Sequence, residues 1–270
     1  MKTISRARAA AAAALASIAC GAVWSAEPYA LYEDFSSPTL DQTRWTGGER
    51  VREVKGGAMY FFQRDWGATT ADTGGQFVSW GDDISVPGKV TQLRARLRVN
   101  AIELTPCAAN PVLAYSRARI LGTFFNTGNP LSGNYVGDVL AQVRVGRFSN
   151  SADAPGVLRV QGLIVMCTNA DCSASTLLGS VVELGTTSVG SNVEVQMEWN
   201  KAQKKFVFAN LTGAVTGEVP YTLSDGAGPA RPLHAIGTRI DAPNCASGPR
   251  GMGSIDANFD FVSVNRNARP

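Results

Sequence analysis

Histidine is almost missing from this 270-residue chain, and His234 is its one copy. Zinc centres built on two histidines and catalysis by a histidine pair are thereby excluded. Charged residues are sparse at 17%, against about 25% in an average soluble domain. No Gly-x-Ser-x-Gly, Ser-x-x-Lys, Gly-x-x-x-x-Gly-Lys or Gly-x-Gly-x-x-Gly occurs, so the common hydrolase, P-loop and dinucleotide signatures are lacking. No dense acidic loop of the EF-hand kind is present. Long apolar runs are also lacking beyond Ala9–Val23, which is too short and too alanine-rich for a good membrane span.

That run follows Lys2, Arg6 and Arg8, the pattern of a secretory signal peptide, with cleavage expected between Ala22 and Glu27. Removing residues 1–26 lowers the basic count from 25 to 22, equal to the 22 acidic residues. The formal charge of +3 thus belongs to the signal, and a nucleic-acid partner loses its electrostatic support. Export also suits the cysteines. With Cys20 in the signal, four remain, and four allow three connectivities. Cys167–Cys172 is favoured because it closes a short loop, leaving Cys107–Cys245. A lipoprotein anchored through Cys20 is a minor alternative, because Ser-Ile-Ala before it lacks the usual leucine.

The mature chain, read as one domain over 27–270, is patterned with period two. Leu93, Ala95, Leu97 and Val99 alternate with Gln92, Arg94, Arg96 and Arg98. The same alternation recurs at 139–145, 193–200 and 255–261. Such runs place one face on a core and one toward water. About a dozen strands are expected, separated by glycine- and proline-rich turns. This predicts an all-β, two-sheet antiparallel sandwich.

Four segments carry a family resemblance: Glu33–Trp45 (with Asp34-Phe35, Leu40-Asp41 and Trp45), Val51–Phe61, the hairpin over Val193–Gly213, and Ile255–Val264. Together they resemble the concanavalin A-like lectin/glucanase superfamily, in a secreted bacterial branch. The resemblance implies a jelly roll with any ligand on a concave sheet face. It also implies a structural calcium near the chain ends, with Asp260 and Glu33 as matching positions. Glu194-Val195-Gln196-Met197-Glu198 resembles the Glu-x-Asp-x-Glu of the superfamily's glucanases. Carried over, Glu194 is the nucleophile and Glu198 the acid/base of a retaining glycoside hydrolase. Four residues on a strand separate their Cα atoms by ~13 Å, so only inward-leaning side chains approach the ~5–5.5 Å such enzymes use. Gln196 stands where the motif has the aspartate that tunes the nucleophile, which weighs against catalysis.

Arginine supplies the other candidate chemistry. Arg94, Arg96 and Arg98 share one strand face, Arg117 and Arg119 another, with Arg144 and Arg159 joining if their strands are neighbours. Guanidinium forks suit the carboxylates of an anionic glycan. Against this stands the plainer reading of a solvated face. Among aromatics, Trp66 and Trp80 flank a glycine-rich loop, and Tyr115 and Tyr135 lie near another; Trp45 and Trp199 read as core. The leading expectation is therefore a secreted, non-catalytic, lectin-like protein binding a polysaccharide or glycan through Arg94, Arg96, Arg98, Trp66, Trp80, Tyr115 and Gln196. A glycoside hydrolase using Glu194 and Glu198 is one alternative, and a structural or adhesive envelope protein is another.

Overall fold

The period-two runs become thirteen strands in the computed structural model, which describes residues 48–84, 90–128, 130–265 and 268. The expected signal segment, Cys20, Glu33, Asp34 and Trp45 lie outside the described residues. In chain order the strands are β1 (Glu49–Lys55), β2 (Ala58–Trp66), β3 (Gly75–Asp83), β4 (Gln92–Thr105) and β5 (Tyr115–Asn126). Then follow β6 (Asp138–Phe148), β7 (Val157–Cys167), β8 (Ser175–Ser188), β9 (Asn192–Asn200) and β10 (Lys205–Asn210). The last are β11 (Val215–Pro220), β12 (His234–Pro243) and β13 (Met252–Val264). They form a seven-stranded sheet, β1-β2-β13-β4-β9-β10-β11, and a six-stranded sheet, β3-β12-β5-β6-β7-β8. All pairings are antiparallel. The expected two-sheet jelly-roll sandwich is the fold observed.

The apolar faces of the two sheets make one core. Phe61, Leu93, Leu97, Val193, Met197, Phe206, Phe208 and Phe259 come from the seven-stranded sheet, and Ile120, Phe125, Val143, Leu158, Ile164 and Ile240 from the six-stranded one. Full burial of each large side chain contributes about 1.5–3 kcal/mol. Along β4 the alternation is as read: Leu93, Ala95, Leu97 and Val99 are buried while Arg94 and Arg98 are exposed. Along β5 it fails, because all twelve residues are buried. The outer side of this central strand is therefore withdrawn from solvent as well as its core side.

Local chemistry sets the connections. Gly56 and Gly57, both at positive φ (57° and 79°), turn β1 into β2, the two-residue hairpin geometry glycine permits. Asp138 is fully buried at the start of β6 and accepts from Asn126 Nδ2 and from the backbone N–H groups of Ala230 and Arg231 (2.7, 2.7 and 2.9 Å). This fastens the loop before β12 to the six-stranded sheet. Both favoured disulfides are present. Cys107–Cys245 (Cα–Cα 5.5 Å) joins the segment after β4 to that after β12, and so one sheet to the other; Cys167–Cys172 (4.9 Å) closes its short loop. The long bridge, 138 residues in sequence, removes about 5 kcal/mol of unfolded-chain entropy in the chain-entropy account. No helix among the described residues is long and apolar enough to cross a membrane.

Candidate functional site

The recessed outer face of the six-stranded sheet is a grid whose rows are fixed by strand register. One row runs Phe77–Asp241–Tyr115–Phe148 across β3, β12, β5 and β6; the next runs Ser79–Arg239–Arg117–Gly146. The third continues over two more strands, as Gly81–Gly237–Arg119–Arg144–Gln161–Glu183, and the fourth is Asp83–Ala235–Leu121–Gln142–Leu163. These side chains point away from the core, yet Tyr115, Arg117, Arg119, Leu121, Gln142 and Gln161 are buried. Polar groups in such a place need partners, and each missing hydrogen bond costs about 1–3 kcal/mol.

Those partners are unevenly supplied. Asp241 receives Arg117 through two nitrogens (2.7 and 3.4 Å) and Arg239 Nε at 2.9 Å. Burial pushes its carboxyl up, but the two guanidiniums overcome this and hold it below the usual range. Arg119 and Arg144 face each other directly across β5 and β6. Arg119 donates to Ser79 Oγ (2.9 Å) and Arg144 to Gln161 Oε1 (2.9 Å), and among the described residues neither has a carboxylate within ion-pair distance. Burial, followed by the charges of Arg117 and Arg239, drives the Arg119 guanidinium well below its usual pKa; Arg144 is lowered by burial first. Tyr115 stacks on Phe148 (centroids 3.8 Å apart, 9° between planes), with the Arg117 and Arg144 guanidiniums 4.4 and 5.1 Å from its ring. Its hydroxyl is buried without a partner, as are Arg117 Nε, Arg119 Nε and Gln142 Oε1.

A cleft of about 310 Å³ opens beside Arg119, at the lower end of the ~300–1,000 Å³ usual for small-ligand sites. Gly81, Gly237 and Ala235 lie along its floor, with Ser79, Arg119 and Arg239 to one side. Asp171, Cys172 and Arg231 border it from the loops, and Asp83 from β3. A Cβ on Gly81 or Gly237 would strike the backbone carbonyl of the facing strand, at Ile236 and Trp80 respectively. Close strand approach therefore requires glycine at both positions, and the face is left bare there. At the edge of the same face the Phe77 ring is 58% exposed, with the Arg239 guanidinium 5.5 Å from its centroid.

The residues predicted from sequence are divided between opposite sides of the molecule. Arg94, Arg96, Arg98, Gln196, Glu194 and Glu198 lie on the outer face of the seven-stranded sheet, through the register Arg94↔Gln196, Arg96↔Glu194 and Gln92↔Glu198. They are exposed or half-buried. Grouping these arginines with Arg117 and Arg119 is thus corrected, since the core separates the two sets. Glu194 is ion-paired to Arg94, and neither glutamate borders the cleft. Trp66 ends β2 half-buried, also away from it. Trp80 pairs with Thr238, packs partly buried against the core and also lines the cleft. Tyr115 is on the recessed face but is covered rather than open. Tyr135 lies 5.6 Å from the Arg231 guanidinium at the rim, and Trp199, read as core, packs half-buried against the core's edge, stacked on Phe125. Arg159, which donates through two nitrogens to Asp153 (2.7 and 2.9 Å), borders the recessed strip. Sequence reasoning misses Phe77, Ser79, Gln142, Gln161, Arg239 and Asp241. The alternation Arg239-Ile240-Asp241 is the signal that points to two of them.

Asp260, the described half of the expected calcium position, offers one carboxylate 4.0 Å from Arg96 Nη1 and accepts from the N–H of Phe261. Glu33, the other half of that position, lies outside the described residues. The one described cluster with metal-ligand composition, Asp72 with Cys107 and Cys245, consists of a disulfide and the carboxylate that caps Ala246 and Ser247.

No protein-family model and no curated protein matches the sequence. Among solved structures the chain is similar to a family 7 alginate lyase in complex with substrate, at 14% identity over 83% of each chain and a TM-score of 0.38. It is also similar to an endo-β-galactosidase from Clostridium perfringens that releases GlcNAcα1-4Gal, at 11% identity over 87% of this chain and 64% of that one, TM-score 0.34. A legume lectin-like domain from Entamoeba histolytica matches at 10% identity over 80% of this chain and 90% of that one, TM-score 0.32. These likenesses concern the fold alone.

Proposed function

We propose that this chain is an exported, non-catalytic carbohydrate-binding protein whose glycan lies along the recessed face of the six-stranded sheet. One observation carries the reading: a buried polar strip with partnerless groups at Tyr115, Arg117, Arg119 and Gln142 adjoins a cleft of about 310 Å³. Sugar recognition needs fixed donors and acceptors for hydroxyls together with a flat ring for the apolar side of a pyranose. Ser79, Gln142, Gln161 and Arg239 supply the first, and the exposed Phe77 ring supplies the second. Rigid strands hold every one of these groups, so little ordering entropy is lost on binding. The non-catalytic half of the reading rests on the carboxylates. Asp241 is engaged by two arginines, Glu194 is ion-paired on the other sheet, and Gln196 replaces the aspartate of the glucanase motif. Two disulfides and the basic-apolar N-terminus support export.

Electrophoresis of the secreted protein through gels cast with individual polysaccharides tests this directly. The expected result is retardation in at least one gel without clearing of the polymer, weakened about tenfold by Phe77→Ala and unaffected by Arg98→Ala. Clearing of the polymer would replace the binding reading with a hydrolase or lyase. Unchanged mobility in every gel would favour the structural or adhesive reading instead.

A further inference from the structure

The strip has an imbalance that glycan binding in general does not explain. Four arginines, Arg117, Arg119, Arg144 and Arg239, meet near its centre. Asp241 satisfies two of them. The nearest other carboxylate across the strip, Glu183, is bonded by Gln161 Nε2 (2.6 Å) and lies 3.9 Å from Arg159. Asp83 and Asp171 line the same cleft with Arg231, and among the described residues neither is within ion-pair distance of Arg119 or Arg144. Arg119 and Arg144 are left as direct cross-strand neighbours of like charge, an arrangement that destabilises a sheet. Arg119 is only 8% exposed, and its Nε has no partner. Such a pair, Arg119 buried and Arg144 half-buried, is costly to the free protein and favourable to a complex in which an anion sits between the two forks.

Resting on the reading above, we propose that Arg119 and Arg144 form the seat for the carboxylate of an acidic sugar residue, so that the ligand is a uronate-containing glycan. The carboxylate lies between the two guanidiniums. Its ring extends over the bare Gly81–Gly237 floor toward Phe77, and Gln142 and Gln161 flank it on the other side. Carboxylate is favoured over sulfate because two planar forks on adjacent strands match a planar, two-oxygen acceptor. Lysine would supply the charge without that geometry.

The test compares a polyuronate such as polygalacturonate with the same polymer after reduction of its carboxyl groups to primary alcohols, alongside dextran and dextran sulfate. Retardation by the polyuronate, lost on reduction and absent with dextran sulfate, is expected. Arg119→Met and Arg144→Lys each should weaken retardation at least tenfold, whereas Arg94→Ala on the opposite sheet should not. Thermal melting of each variant establishes that it is folded, and Arg144→Lys keeps the charge, so its loss of binding reads fork geometry. Equal retardation by parent and reduced polymers overturns the anionic seat while glycan binding stands. Binding of dextran sulfate as tightly as polyuronate overturns the carboxylate assignment. Binding of neutral polymers alone has the same effect, and retardation by none removes the glycan reading itself.

Discussion

On the seven-stranded sheet, Arg94, Arg96 and Arg98 alternate along β4, open to water, and two have acidic neighbours: Glu194 beside Arg94 and Asp260 beside Arg96. On the six-stranded sheet, Arg117 and Arg119 alternate along β5 in the same manner, but both are buried and one has no carboxylate. The residue pattern is alike on the two sides, and its physical meaning is opposite. In water an arginine stem covers apolar surface, and its head exchanges between solvent and a neighbour for little net energy. In a recess the same head has lost its hydration, so whatever pairs with it matters. An arginine count therefore says little about function until burial is known.

Removing the counter-ion on the recessed side is the most disruptive way to probe this contrast. Asp241→Asn leaves Arg117 and Arg239 without their shared carboxylate and is expected to cost about 3–5 kcal/mol, read by urea unfolding. A cost under about 1 kcal/mol would show that the recess is wetter than its burial implies.

The next effect is pH-dependent and centres on the end of the same sheet. His234 donates to the Val90 carbonyl, and burial lowers its pKa from 6.5 to about 4. Its ring meets Phe124 edge-on at 5.1 Å, and its Nε2 is buried without a partner. Because the folded pKa is the lower one, the unfolded chain takes up the proton first. Stability is complete above pH 6.5 and declines as pH falls toward 4, by on the order of 2–3 kcal/mol. As the chain's only histidine, it is readily isolated: His234→Leu should flatten this part of the profile, whatever its effect on absolute stability. Asp241 acts lower on the scale. Its contribution is complete above the ordinary carboxylate value of 3.8 and is lost as pH falls through its depressed folded value.

Smaller still is the expected response to Arg144→Met. If the Arg119–Arg144 pair is unfavourable in the free protein, the variant matches or exceeds the parent, by up to about 1 kcal/mol, while binding is lost. A clear destabilisation in thermal melting would mean that the bond to Gln161 outweighs the repulsion. The smallest effect belongs to the open face, where Glu194→Gln should change stability by less than about 1 kcal/mol, with even that difference shrinking in high salt.

Much of the fold is legible in the sequence alone. The alternation along 92–99, 139–145, 193–200 and 255–261 reappears in β4, β6, β9 and β13, because a half-buried strand must repeat every two residues. The short Cys167–Cys172 loop and its complement, Cys107–Cys245, are legible from spacing. The site is less so. Arg117, Arg119 and Arg144 stand out in the sequence, but nothing there separates them from Arg94, Arg96 and Arg98. Phe77 belongs to no motif, and Asp241 is marked only by the alternation Arg239-Ile240-Asp241; register alone brings the two into one row.

What the chain determined by itself is the period of its strands, and hence which residues share a face within each strand. That information is local, carried by side chains two positions apart. Which strands become neighbours, which outer face is recessed, and which arginines end without a counter-ion were decided only by the tertiary structure. Strand order and sheet curvature arise from contacts between segments far apart in sequence, such as β5 with β12 and β4 with β13. Burial, which turns an ordinary arginine into an anion seat, is a property of that assembly alone.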